Sequence, residues 1–532
     1  MKFLSKSAPW AMQAEEAKRV RAAGSPPWAR AVLVALLVWF LAAPLSYAQD
    51  ESDAREAAPA AETQEAQPAA AKGRLPETRR TRHTIRIGGE DIRFLATAGA
   101  ITLTNAQDRP EADIAFVSYT LEGADPAARP VTLAVNGGPG AASAYLHLGV
   151  LGPWILPMDE EQIVPSQKVE LVENPQTWLA FTDLVFIDPV GTGFSRLVDS
   201  NDRLRERYLS IDGDIEALAR FIVRWLTENG RLASPKYFVG ESYGGFRGPL
   251  LAEALQTDHG VGLSGMVLLS PVLDFGWWAQ PEHSPLPLVS RLPSFAATEM
   301  ERRGTFSEEG LGEAEAYASG AFVTDFLRGV SDDDALGRIV ERVSELTGLS
   351  QDLLREHGGR IGMDTFTRNF LREEGRIASS YDAAVSLEVP VRGRRTHVPD
   401  PVLDAMTAPL TSAMLAHYRD TLGWLPERRY HLLNTGVNRA WEWGGGRSQP
   451  EAISALGRVL ALDPAFRALV VHGYTDLVTP YFASELLLRQ LPAFGQGERL
   501  RLETYRGGHM FYTREGSRSA FRDGARSLYR GR

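Results

Sequence analysis

The sequence predicts an α/β fold in which a mostly parallel central sheet is covered by helices and carries a largely helical cap insertion. Three observations lead there. Short apolar runs alternate with stretches of helical spacing before Phe275 and again after Arg429. Between those points the alternation stops and helical spacing dominates. The apolar run Tyr237-Phe238-Val239 passes straight into Gly240-Glu241-Ser242-Tyr243-Gly244-Gly245, a serine between small residues where a buried strand should turn into a helix.

From the N-terminus, residues 1–48 read as a secretory signal peptide. Lys18, Arg19, Arg21 and Arg30 precede the apolar stretch 31–45, and Ser46-Tyr47-Ala48 supplies a small-x-small cleavage pattern. That stretch is shorter than the ~20 residues that span a bilayer, so an exported chain with no stable membrane insertion after cleavage is expected. Residues 49–80 are rich in Ala, Glu, Gln and Pro with few large apolar side chains, and read as a flexible linker. Folding is expected to start near Thr81.

Thr84-Ile85-Arg86-Ile87, Ile114-Ala115-Phe116-Val117 and Val131-Thr132-Leu133-Ala134-Val135 read as strands, with turns at Gly88-Gly89 and Asp125-Pro126. Asp183-Leu184-Val185-Phe186-Ile187 is a further buried strand. Residues 211–228 place Ile215, Leu218, Ala219, Ile222 and Leu226 on one helical face, with Ser210 as its cap. After the Ser242 turn come a helix to Leu255 and the strand Met266-Val267-Leu268-Leu269. Helices are expected at 309–327, 334–346 and 411–422, broken by a loop at 388–401. The β/α pattern returns with Arg467-Ala468-Leu469-Val470-Val471, 486–491, 500–505 and a last helix over 517–528. The expectation is one α/β domain, 81–275 with 430–532, interrupted by a helical cap at 276–429.

With 44% hydrophobic residues among 532, the chain is long enough to bury a large core. Its formal charge is −10, and the leader is basic, so the remainder is more acidic still; nucleic acid is not an expected partner. The absence of cysteine excludes disulfides, thiolate catalysis and Cys-ligated metals. No His-Glu-x-x-His run and no phosphate-binding loop ending in Lys-Ser or Lys-Thr occurs, so no metal or organic cofactor is implied.

A serine hydroxyl is a poor nucleophile at neutral pH and needs an imidazole to take its proton and a carboxylate to hold that imidazole. Two later loops supply them: Asp476 in His472-Gly473-Tyr474-Thr475-Asp476, past one strand, and His509 in Arg506-Gly507-Gly508-His509, past the next. His472 is the nearest rival base, but it should lie inside its strand. A tetrahedral oxyanion needs two N–H donors. Tyr243, after the nucleophile, supplies one, and Gly138 in Asn136-Gly137-Gly138-Pro139-Gly140, after the strand 131–135, supplies the other.

These loops together resemble the serine carboxypeptidases, peptidase family S10, which have the α/β-hydrolase fold and cut single residues from peptide C-termini. The resemblance rests on Asn136 to Gly140, Glu173-Asn174-Pro175 with Trp178, Ile187-Asp188-Pro189-Val190-Gly191-Thr192-Gly193-Phe194-Ser195, the Ser242 turn and Gly508-His509-Met510. It spans about 131–510. The cap matches loosely, nearer the bacterial branch at Trp441-Glu442-Trp443 and Gly473-Tyr474-Thr475-Asp476-Leu477-Val478-Thr479-Pro480. The resemblance implies a Ser242, Asp476, His509 triad, an oxyanion hole at Gly138 and Tyr243, and a peptide substrate whose terminal carboxylate is held by Asn136 and a protonated Glu241.

The chain departs from that pattern at three places. Val150 stands where a second glutamate shares the first one's proton, Ala134 where a tryptophan stands, and Ala141 where many members have a disulfide cysteine. Arg196 and Arg247 lie in the motif loops as further candidates to bind a carboxylate. Two other functions stay open on the residues alone. One is a related hydrolase acting as an esterase, acyltransferase or aminopeptidase; the other is a non-catalytic binding protein on the same scaffold.

Overall fold

The computed structural model describes residues 75–530 except 159–162, 200, 279–282, 390–397, 445, 447 and 495–498. The expected leader and all but the last residues of the expected linker lie outside the described residues. So does most of the loop expected at 388–401.

The first three strands, β1 (Arg79–Ile87), β2 (Glu90–Thr104) and β3 (Pro110–Leu121), form an antiparallel meander that begins two residues before Thr81. The β1–β2 turn is two residues long, and Gly88 and Gly89 take φ of 59° and 91°. Such a turn needs positive φ at both positions, which is why two glycines stand there. Then come β4 (Val131–Val135), β5 (Asp183–Ile187), β6 (Lys236–Glu241), β7 (Gly265–Leu269), β8 (Arg467–Gly473) and β9 (Leu500–Tyr505). Across the sheet they run β1-β2-β3-β5-β4-β6-β7-β8-β9, parallel from β5 onward.

Both faces of the inner parallel strands are covered, so β4, β5 and β7 are apolar at nearly every position, whereas the edge strand β9 alternates and is half-buried. Successive side chains nevertheless enter different cores. Val131, Leu133, Val135, Phe238, Met266, Leu268 and Val470 pack on one face with α1 (Ile211–Glu228) and α2 (Tyr243–Thr257). Ala134, Phe186, Val239, Val267, Leu269 and Val471 pack on the other, with Phe521 and Leu528 of the last helix, Glu515–Tyr529. Ser210 caps α1 by accepting from Gly213 N at 3.2 Å, with Asp212 and Asp214 in the first turn, where the helix dipole favours acid.

Between β7 and β8 the chain is mostly helical and builds its own core around Val289, Leu292, Phe295, Ile339, Val343 and Phe366. Several boundaries differ from the sequence expectation. The segment 309–327 is two helices, Glu308–Ser319 and Ala321–Arg328, parted at Gly320, whose φ of −118° and ψ of −98° are not helical. Helix Leu286–Arg303 was not expected because it contains Pro287 and Pro293; Pro287 stands in the first turn, where no N–H is needed. The segment 411–422 belongs to Leu403–Ala416 followed by a π-turn, His417–Thr421. Around 486–491 the helix is Tyr481–Leu488.

A second π-turn, His147–Leu151, lies across the core from the first. Together they bring His147 and His417 onto one phenol: Tyr119 Oη is 2.6 Å from His147 Nε2 and 2.7 Å from His417 Nε2. Burial holds His147 well below the ordinary imidazole range and pushes His417 down to about 3. Unfolding lets both rings take protons at their ordinary value near 6.5. Their contribution to stability is therefore complete above pH ~6.5 and is lost as pH falls toward the folded values. Urea midpoints measured from pH 7 to 4 should fall steeply, and His417→Gln, which stays neutral, should flatten that slope.

Candidate active site

Ser242 sits at the junction of β6 and α2 with φ of 61° and ψ of −121°. A non-glycine residue rarely adopts that conformation, and it persists here because its surroundings hold it. Ser242 N donates to Leu269 O at 2.8 Å, and Gly245 N donates back to Ser242 O at 2.9 Å. A Cβ on Gly240 would strike the Gly244 backbone, and one on Gly244 would strike Val135 O, so both glycines are required by close approach.

The other loops arrive from the same ends of neighbouring strands. Asn136-Gly137-Gly138 leaves β4 and lies directly against the turn: a Cβ on Gly137 would come 2.5 Å from Tyr243 N and 2.9 Å from Gly244 N. Asp476 follows β8 and His509 follows β9. His509 Nδ1 lies 2.8 Å from Asp476 Oδ2 with both side chains buried. Asp476 is itself fixed by Val478 N and Thr479 N on Oδ1, at 2.9 and 3.0 Å, and by Thr479 Oγ1 on Oδ2 at 2.6 Å. Thr479 Oγ1 also lies 3.0 Å from His509 Nδ1, so one hydroxyl braces both partners. The backbone of His509 is held by Tyr381 O, which accepts from its N–H at 2.5 Å, and by Ser270 Oγ, which donates to its carbonyl at 2.8 Å. The Tyr381 ring meets the imidazole edge-on at 5.2 Å.

A cavity of about 540 Å³ opens over these loops, lined by Asn136, Gly138, Glu241, Ser242, Tyr243 and His509 among others. Asp476 lies behind His509, fully buried. No hydrogen bond joins Ser242 Oγ to His509 Nε2 among the described residues; such bonds often form only when substrate fills the site. The rival His472 is occupied elsewhere, its ring nitrogens 2.8 Å from Ser484 Oγ and 3.1 Å from Thr479 O.

Burial pulls the His509 imidazolium down, but Asp476 and then Glu241 pull it up, and the net position is above the ordinary value. Glu241 is pushed up to about 7 by burial, against the opposing pull of His509, Tyr512 and Asn136. Asn136 Nδ2 donates to Glu241 Oε2 at 2.9 Å, while Asn136 Oδ1 accepts from Leu146 N at 3.0 Å, which fixes the amide's orientation. Tyr512 Oη reaches both Glu241 oxygens, at 3.1 and 2.9 Å. Val150 is buried among apolar side chains.

The two motif arginines do not line the cavity. Arg247 binds Asp214 and Asn136 O, and Arg196 binds the carbonyls of Gly193, Ser195 and Arg429. Neither is placed to take a substrate carboxylate, because each guanidinium is spent on the protein. Thr479, Tyr381, Tyr512, Trp278 and Trp443 are given no role in the site by the sequence, although Thr479 and Trp443 lie in segments that carry the resemblance. Thr479 had a readable signal, a hydroxyl three residues after an aspartate in a turn; the others meet the site only through tertiary packing. Among the described residues no cluster of His, Asp and Glu fit to hold a metal occurs, and no helix is long and apolar enough to cross a membrane.

The family model for serine carboxypeptidases matches residues 103–275. Serine carboxypeptidase-like 13 of Arabidopsis thaliana is 30% identical over 154 residues, 28% of this chain and 34% of the relative. Pheromone-processing carboxypeptidase KEX1 of Chaetomium globosum is 33% identical over 155 residues, 28% of this chain and 21% of the relative. The match thus spans about a third or less of these curated relatives' length. The crystal structure of KEX1(delta)P, a prohormone-processing carboxypeptidase from Saccharomyces cerevisiae, superposes with a TM-score of 0.53 at 14% identity, covering 82% of this chain and 91% of that one. That likeness concerns the fold, and the matched segment holds the Asn136 loop and the Ser242 turn. Residues 103–275 are thus similar to the serine carboxypeptidase family, and the chain has an α/β-hydrolase fold.

Proposed function

We propose that the protein is an exported serine carboxypeptidase that releases the C-terminal residue of peptides through an acyl-enzyme on Ser242. The observation that carries this reading is a single cavity with Ser242 and the Asp476-braced His509 on its wall and the Asn136–Glu241 pair beside them. His509 Nε2 takes the proton of Ser242 Oγ as Oγ bonds to the scissile carbonyl carbon. The oxygen, now negative, is met by Gly138 N–H and Tyr243 N–H, neither of which donates to a backbone acceptor among the described residues. His509 gives its proton to the leaving nitrogen, the C–N bond breaks, and the last residue departs. Water, losing a proton to His509, then adds to the ester carbonyl; Oγ leaves and regains the proton.

The terminal carboxylate sits against Asn136 and protonated Glu241. The acyl side runs past Phe275, Trp278 and Trp443, an aromatic wall suited to apolar side chains. On this reading residues 81–275 with 430–532 form the catalytic domain and 276–429 the cap, which lends Trp278, Tyr381 and Leu403 to the cavity. Export rests on residues 1–48, read from sequence.

The test compares a blocked peptide with its C-terminal amide. A hydrogen bond to a charged group contributes about 1.5–3 kcal/mol, so kcat/KM should be roughly 10- to 100-fold higher for the free acid. Equal rates would favour an esterase, acyltransferase or aminopeptidase. Failure of a fluorophosphonate to label Ser242 would favour a binding protein.

A further inference from the structure

We infer that Tyr512 is a positioning residue that governs how readily Glu241 keeps a proton, and hence the pH range over which the cavity accepts a peptide's terminal carboxylate. The inference rests on the carboxypeptidase reading above for its consequence, but its core is a contact. Tyr512 Oη lies within hydrogen-bond reach of both oxygens of a carboxyl that is 3% exposed. The only other side-chain donor to Glu241 among the described residues is Asn136.

The phenol serves both states of that carboxyl. While Glu241 is ionised, Oη–H donates to it and lowers the penalty of burying the charge. When Glu241 holds a proton, its O–H is free to turn to an incoming carboxylate, because the phenol remains a donor to the other oxygen. A second carboxyl in that place would compete for the same proton. Burial holds the Tyr512 phenol far above its ordinary range, so it adds no charge of its own. The groups that face Glu241 are few: Asn136 from the loop after β4, Tyr512 and His509 from the loop after β9, with Asp476 behind His509, and Tyr145 and Tyr381 across the cavity. His509 and Asp476 act in opposite directions on it. The adjustable donor is therefore Tyr512.

The same proton also bears on the base. Ionised Glu241 helps hold His509 protonated. A proton on Glu241 removes that pull, so in the state that takes the carboxylate more of the imidazole stands unprotonated at a given pH and is available to act as the base. The ring of Tyr512 packs close to Gly149 of the π-turn, and Tyr512→Phe keeps that packing while deleting the donor.

Two measurements test this. The first is the ratio of kcat/KM for a free-acid peptide to that for its amide against pH, in which changes at His509 cancel. In the parent the ratio should fall as pH rises through about 7. In Tyr512→Phe the ionised form loses a donor, so the fall should move up by about one pH unit; in Glu241→Gln it should vanish. The second follows the infrared band of the protonated carboxyl in the same three proteins, with thermal unfolding confirming that each is folded. The band should be absent in Glu241→Gln and should persist to higher pH in Tyr512→Phe. An infrared midpoint that does not move between parent and Tyr512→Phe overturns the inference whatever the substrate. A flat activity ratio in the parent instead counts against the carboxypeptidase reading and leaves the infrared result to decide on Tyr512. Site-specific 3-fluorotyrosine at 512, a stronger donor, should shift both midpoints down, and an unmoved midpoint there would equally overturn it.

Discussion

On the proposed mechanism Ser242→Ala should lower kcat by roughly 10⁴- to 10⁶-fold, because a catalytic triad acts as a unit and loses nearly all its effect when one member goes. Peptide should still bind, since Asn136, Glu241 and the aromatic wall are untouched. The stability readout distinguishes this position from an ordinary serine. At φ of 61° the backbone is strained for any residue with a Cβ, so Ala inherits the strain and Gly relieves it. Ser242→Gly should be as inactive as Ser242→Ala but more stable by about 1 kcal/mol in urea unfolding. Equal stabilities would mean that the turn is not held under strain, and retained turnover in a clean preparation would remove Ser242 from the mechanism. Activity here costs stability, and the lines that hold the turn (Leu269 O on one side, the Gly137 backbone on the other) are what offset it.

The parts of this fold that were legible in the sequence are those whose signal is local. β4 to β8 read as strands because each is a short apolar run closed by turn residues, β9 because it alternates, and Ser210 read as a cap because it precedes an amphipathic stretch. The loops that meet at the cavity were legible for the same reason: Ser242 lies between glycines at a strand end, and Asp476 and His509 each follow a strand within a few residues. Helix Leu286–Arg303 was hidden by its prolines, and the hairpin Arg376–Ala378/Ser386–Glu388 by strands of three residues, too short to show a period. Yet the tip of that hairpin holds His509 through Tyr381 O. Tyr512 was equally hidden. Its role depends on which carboxyl its phenol reaches from within a 3₁₀ turn, and nothing in Phe511-Tyr512-Thr513 encodes that direction.

Arg247 gives the second large effect, on stability more than on chemistry. Its side chain is fully buried beneath the Ser242 turn, with Nε 2.6 Å from Asp214 Oδ2, a terminal nitrogen 2.5 Å from Asn136 O, and the guanidinium 4.7 Å from the centre of the Tyr243 ring. One residue thus ties α1, α2 and the loop that presents Asn136. Burial raises the Asp214 carboxyl and outweighs the pull of Arg247 in the other direction, so the pair as a whole adds little net stability. Breaking it is another matter. Arg247→Met leaves a buried carboxylate without its cation and should cost about 3–5 kcal/mol, read as a lower urea midpoint. The double variant Arg247→Met/Asp214→Leu should lose less than Arg247→Met alone, since the stranded charge is gone. The sign with pH follows: protonating Asp214 removes the uncompensated charge, so the deficit of Arg247→Met should shrink toward acid pH and widen toward neutral. The double variant has no such dependence to show. A deficit that stays constant with pH would mean that Arg247 acts through packing on Tyr243, and not through Asp214.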